Sequence, residues 1–140
     1  MSIKDKLKLG KNVYGTWCII PSPEVINIIS KSGLDFVIVD MEHGPMDYTT
    51  AQQMIMSAHS EKCDAIIRTP RNDESNILKS LDIGSDGIII PHVNTIEDVE
   101  KCIKEYNNMP YEEEWALDIS VAICIMCSNT ATLHIVYINT

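Results

Sequence analysis

The sequence predicts a parallel α/β fold made of four successive strand–helix units, and three observations predict it. Between residues 15 and 108, short apolar runs alternate with segments of helical spacing. Cap and turn residues separate the two kinds of segment at intervals of roughly 20 to 30 residues. The apolar run within residues 35–40 (DFVIVD) is continuous, as strands buried on both faces are. Such alternation implies one parallel sheet with right-handed crossovers. Two architectures fit. One is an open doubly wound sheet; the other is half of a (β/α)8 barrel, because a complete barrel needs about 250 residues and this chain has 140.

The first strand is read at 15–20 (GTWCII). Ser22-Pro23-Glu24 then supplies an N-cap, a proline at the first helical position and an early acid. Val25, Ile28 and Ile29 follow at helical spacing, and Gly33 stops the helix. The second strand is 35–40 (DFVIVD), and a helix after it places Ala51, Met54, Ile55 and Ala58 on one side. The third strand is 64–68 (DAIIR). Asn72-Asp73 caps a helix with Ile77, Leu78 and Leu81 inward, closed by Gly84. The fourth strand is 86–91 (DGIIIP), and Thr95 with Asp98 resembles a capping box ahead of Ile96, Val99 and Ile103.

Composition excludes several function classes. The chain carries 20 Asp and Glu against 11 Lys and Arg, a formal charge of −9. Such a field disfavours a nucleic acid or an anionic membrane as partner. No apolar run approaches the roughly 20 residues that span a bilayer, and no secretory h-region follows the basic N-terminus. Five scattered cysteines make no disulfide framework, so a reducing cytoplasm is the expected location. There is no GxGxxG, no Walker A loop and no G-x-S-x-G elbow. None of the four strands holds a lysine for a Schiff base.

In parallel α/β folds chemistry gathers at the carboxyl ends of the strands. Strand two ends in Asp40-Met41-Glu42-His43-Gly44-Pro45, strand three in Arg68-Thr69-Pro70-Arg71, and strand four in Pro91-His92. Titratable groups therefore collect at one edge. Each also has a structural reading: Asp40 as a helix cap, Arg68 as an ion-pair partner of Asp40 or Glu42, His43 and His92 as turn histidines. Read functionally, Arg68 suits an anionic substrate such as a carboxylate. A histidine at His43 suits a general base working near neutral pH. An enolate formed without a Schiff base needs a metal as electron sink, which Asp40 and Glu42 would help to hold.

The runs GTWCIIPSPEVINIISKSGLDFVIVDMEHGP, AIIRTPRND, LKSLDIGSDGIIIPHVNT and EDVEKCI resemble the HpcH/HpaI aldolase/citrate lyase family, which includes 4-hydroxy-2-oxoheptanedioate and 2-dehydro-3-deoxyglucarate aldolases. The likeness runs from about residue 8 to 108, with DxEHGP, RxP and LDIGxxGIxxP in order. It implies a TIM barrel, a divalent metal (Mg2+ or Mn2+), a pyruvate enolate, and reversible cleavage of a 2-oxo-4-hydroxy acid to pyruvate and an aldehyde. It also implies a homo-oligomer and a small 2-oxo acid as the binding partner. By resemblance His43 is the catalytic base, Asp82 its acidic partner, and Arg68 the group that binds the pyruvate moiety. Asp40 and Glu42 lie around the metal and its waters.

One departure is large. The family's direct metal ligands, a Glu and an Asp, follow a Pro-Pro-x-Gly-x-Arg-Gly segment, whereas this chain reads Asn108-Met109-Pro110-Tyr111-Glu112-Glu113-Glu114-Trp115. No lysine or arginine follows Lys104, and a composition break falls near Met109. The expectation is therefore a truncated (β/α)4 half of a TIM barrel over 1–108 and an unrelated, β-prone tail over 109–140. A shifted reading frame or a gene truncation near Met109–Glu114 would explain the tail. Strands one and four are expected to leave open edges, with the tail available as a fifth strand. The tail's Cys124-x-x-Cys127 pair with His134 is weak as a zinc site. On this reading the 140 residues alone lack direct metal ligands and lack activity. The competing readings are a non-catalytic remnant and a flavodoxin-like module that binds a small carboxylate.

Overall fold

The computed structural model describes residues 1–107, 120–126 and 133–138. The break expected near Met109–Glu114 lies outside them, as does Cys127 of the CxxC pair. In chain order the elements are α1 (Ile3–Lys8), β1 (Gly15–Cys18), α2 (Pro23–Lys31), β2 (Phe36–Asp40), α3 (Tyr48–Ser60), β3 (Asp64–Arg68), α4 (Glu74–Asp82), β4 (Gly87–Ile90), α5 (Ile96–Asn107), β5 (Ser120–Met126) and β6 (Leu133–Ile138).

Local chemistry sets these boundaries. The Ser22 hydroxyl accepts from the Val25 N–H at 3.2 Å and opens α2 one residue before Pro23. Asp47 does the same for α3 through Thr50 N–H (2.7 Å), and Asp73 for α4 through Asn76 N–H (3.0 Å). Thr95 and Asp98 form a reciprocal capping box at α5, with bonds of 3.2 and 3.0 Å. Gly33 and Gly84 take φ of 88° and 90° just past α2 and α4, where a side chain would be strained. β1 stops two residues earlier than its apolar run, because Ile19 and Ile20 are exposed and the Ser22 N–H turns back onto the Ile20 carbonyl.

The sheet order is β1-β2-β3-β4-β5-β6, with β1 to β5 parallel and β6 antiparallel to β5. Sequential order has no switch point, which a doubly wound sheet requires. The packing agrees. Val37, Val39, Ala65, Ile67, Ile88 and Ile90 point to one face and form a single core with Ile26 of α2, Met54 and Ile55 of α3, Ile77 of α4 and Cys102 of α5. The other face carries a separate small cluster, Ile38 and Ile89 with Phe36 and Ile66. All four crossover helices therefore lie on one side of the sheet, as in a barrel wall. The flavodoxin-like alternative is set aside by this arrangement. Strand four is not left open, because the tail supplies the fifth strand as the sequence allowed: Gly87–Ile90 pairs with Ser120–Ile123 of β5.

Residues two apart on a strand share a face, and parallel register carries that face across the sheet. Trp17 is opposite Ile38, Ile38 opposite Ile66, and Asp40 opposite Arg68, itself opposite Ile89. Trp17, Asp40 and Arg68 thus lie on the inner face, at or near the ends of their strands.

Helix α1 was not anticipated from the sequence. It buries no residue and rests on a capping box between Ser2 and Asp5. It is tied to the other edge of the sheet, where strands begin, by Ile3 N–H on the Asp64 carboxylate (2.7 Å) and a Lys6–Asp35 ion pair.

Ile67 is fully buried between the sheet and its helices. Ile67→Ala is expected to lower stability by about 3 kcal/mol, the usual cost of a cavity in a central strand. The measurement is a denaturant titration followed by circular dichroism; a change under 1 kcal/mol would contradict the single-sided core.

Candidate active site

The site begins with Asp40, the last residue of β2 and 2% exposed. A carboxylate so placed needs several donors. Its Oδ1 accepts from the Glu42 N–H (3.0 Å), the His43 N–H (3.2 Å) and Arg68 Nε (2.8 Å), while Oδ2 pairs with Arg68 Nη2. The chain turns back at once, with Gly44 N–H on the Asp40 carbonyl at 3.0 Å. A Cβ on Gly44 would run into that carbonyl and the Met46 methyl, so the tight turn requires glycine here.

Arg68 closes β3 with a side chain only 9% exposed. Besides its two-point pairing with Asp40, its Nη1 lies 3.1 Å from Glu42 Oε2. The guanidinium carbon sits 4.6 Å from the centroid of the Trp17 ring. A cation over an indole face gains attraction without losing its hydrogen-bonding edge. Burial alone would raise the Asp40 pKa. The Arg68 bond and charge, with the two backbone donors, more than offset it and hold the carboxyl below the ordinary aspartate range.

Glu42, largely buried, is the hub of the outer part. His92 Nε2 lies 2.9 Å from its Oε1, and His43 Nε2 4.0 Å from its Oε2. The Oε2 atom is buried and has no partner in hydrogen-bond geometry, although the Arg68 charge is near. Both imidazoles are mostly exposed, so they form the solvent side of the cluster. The structure thus brings together Asp40, Glu42, His43, Arg68 and His92. Asp82 is elsewhere: it is the exposed last residue of α4, five positions before β4 begins, at the opposite edge of the sheet. Within one chain it does not meet His43. Trp17 was missed by the sequence reading, although its place on the Asp40 face of β1 was legible from alternation.

Among the described residues no three His, Cys, Asp or Glu side chains converge as a metal shell. Asp40 is already occupied by Arg68 and backbone donors, which leaves only Glu42 Oε2 unengaged in hydrogen bonding. These residues do not hold a metal unaided.

The family model described as HpcH/HpaI aldolase/citrate lyase matches residues 14–139. The chain belongs to the HpcH/HpaI family. A pyruvate aldolase of Rhizobium etli is 29% identical over 108 residues, covering 77% of this chain and 42% of the relative. Among solved structures, the citrate synthase SbnG superposes with a TM-score of 0.77 at 32% identity, over 87% of this chain and 54% of that one. The HpcH/HpaI aldolase of Desulfitobacterium hafniense gives 0.73 at 25% identity, over 88% and 56%. The chain spans about half the length of the relatives it matches, and its sheet corresponds to part of their barrels.

Asp40→Asn should destabilise the fold by about 3 kcal/mol or more at neutral pH, because it breaks the two-point charge pairing of a buried guanidinium and leaves Glu42 as its remaining carboxylate. Since the folded pKa of Asp40 is lowered, its stabilisation is present above the unfolded value of about 3.9 and is lost as pH falls through the folded value. Urea titrations across pH should therefore show the gap between wild type and variant closing in acid. A gap independent of pH would contradict the pairing.

Proposed function

We propose that this chain carries the base and carboxylate-binding part of a pyruvate aldolase site. The observation that carries the reading is the Arg68 guanidinium, held on the inner face by Asp40 and Trp17 with His43 and Glu42 beside it. In the cleavage direction His43 takes the proton from the C4 hydroxyl of a 2-oxo-4-hydroxy acid. The C3–C4 bond breaks, the aldehyde leaves, and the electron pair passes into the enolate of pyruvate. Arg68 binds the carboxylate or keto oxygen and opposes the growing enolate charge. Reprotonation at C3 gives pyruvate.

A charge argument supports a divalent cation, Mg2+ or Mn2+, as part of this proposal. Two carboxylates, Asp40 and Glu42, face one guanidinium, so an anionic ligand would meet a net negative cluster before any imidazole proton is counted. The cation's direct ligands are not among the described residues, and Asp40 and Glu42 would act around it. We infer that these 140 residues alone bind a 2-oxo acid without turning it over. The proposal sets the reaction in the cytoplasm and in a homo-oligomer. Among the described residues no helix is long and apolar enough to cross a membrane.

Two measurements test the reading together. Pyruvate and oxalate are titrated with and without Mg2+ or Mn2+ in a Trp115→Phe background, so that Trp17 emission reports the site. Pyruvate release from 4-hydroxy-2-oxo acids is followed with lactate dehydrogenase. The expected result is cation-assisted binding, weakened about tenfold in Arg68→Lys, whose single ammonium cannot both pair with Asp40 and meet the ligand, and no pyruvate release. Binding indifferent to Arg68→Lys would sink the carboxylate assignment. Release of pyruvate abolished by His43→Ala would overturn the inference of inactivity.

A further inference from the structure

His92 follows β4, on the loop before α5, and takes φ of 59°, the left-handed region where a side chain other than glycine carries strain. Pro91 and Val93 on either side are buried, and its own carbonyl accepts from Asn94 Nδ2 at 3.3 Å. The backbone therefore fixes the direction of the His92 Cα–Cβ bond. From there the side chain brings Nε2 to 2.9 Å from Glu42 Oε1. With Oε1 so held, the other oxygen of Glu42 is directed inward, 3.1 Å from Arg68 Nη1 and 4.0 Å from His43 Nε2, where it lacks a hydrogen-bond partner.

We propose that His92 is a positioning residue: its Nε2, 2.9 Å from Glu42 Oε1, holds that oxygen and so aims Glu42 Oε2 at the space between Arg68 and His43, as the acceptor for a hydroxyl of the bound ligand. The inference rests on the carboxylate-binding reading above and adds to it the fourth strand's contribution. Strain at His92 is then the cost of delivering a ring from β4 to a carboxylate on the β2 loop. Glu42 becomes the link between them.

The test uses variants that separate backbone from side chain. His92→Asn tolerates the left-handed backbone but is too short for Glu42, whereas His92→Gln offers an N–H with longer reach. His92→Asn should keep the wild-type circular dichroism and melting, yet weaken binding of a 4-hydroxy-2-oxo acid with Mg2+ about tenfold, the scale of one lost hydrogen bond between its hydroxyl and the Glu42 carboxylate. His92→Gln should recover most of that loss. His92→Asn combined with Glu42→Gln should bind no worse than Glu42→Gln alone. Equal binding by wild type and His92→Asn would overturn the proposal, as would additive losses in the double variant. An independent readout is nitrogen-15 NMR. The His92 ring should carry its proton on Nε2, and His92→Asn should shift the Arg68 Nε–H resonance through Glu42. If wild type fails to bind pyruvate, the carboxylate reading falls. The NMR arm then still decides the positioning role, and an unmoved Arg68 signal rejects it.

Discussion

The buried Asp40–Arg68 pair is the constraint on which the rest of this site depends. A guanidinium on the inner face of a sheet loses most of its hydration, and the two-point carboxylate at the adjacent strand end is its principal compensation, with Glu42 and the Trp17 ring beside it. Once β2 and β3 are in register, Asp40 and Arg68 are opposite each other, so the pair is also a statement about strand alignment. A slip of one residue in either strand would turn that strand's charge into the helix-packed core and leave its partner unpaired. The ion pair and the hydrophobic alternation therefore specify the same register. The two Asp40 backbone contacts extend that specification into the turn, placing Glu42 and His43 at fixed distances from the guanidinium.

Most of the fold was legible because its signals are local and repeated. Caps at Ser22, Asp73 and Thr95 and stops at Gly33 and Gly84 stand where sequence chemistry puts them. Helix α1 was not legible by the same route, since it has no apolar stripe; it is held by a cap and by polar contacts to residues far along the chain. The site divides in the same way. Asp40, Glu42, His43 and Arg68 were readable as titratable groups at strand ends. Trp17 was not singled out, because an aromatic on a strand reads as core until its face is matched with Arg68. Asp82 came from family likeness alone, and the fold sets it at the other edge. The alternation could not choose between a barrel wall and a doubly wound sheet. The choice follows from all helices packing on one face, a long-range property.

The two edges of the sheet show how burial, and not residue type, separates a site from a scaffold. At the edge where strands begin, Asp64 accepts the Ile3 N–H, and Asp86 accepts the Ala65 N–H and lies 2.7 Å from His59. These bonds tie chain segments together. Burial raises the Asp64 pKa, helped by the nearby Asp86 charge and opposed by the Ile3 N–H and the His59 charge. Asp64 thus stabilises the fold most when protonated, and that contribution is lost as pH rises. Asp40, equally a strand-end aspartate, has the opposite sign because a guanidinium outweighs its burial. Neutral pH therefore works against Asp64 and in favour of Asp40. Asp35, at the scaffold edge, follows Asp40, because the Lys6 bond and the Tyr14 N–H hold its carboxyl below the ordinary aspartate range. The sign is thus set by the partner a strand-end carboxylate finds, and what marks the site edge is the buried Glu42 oxygen still lacking a hydrogen bond.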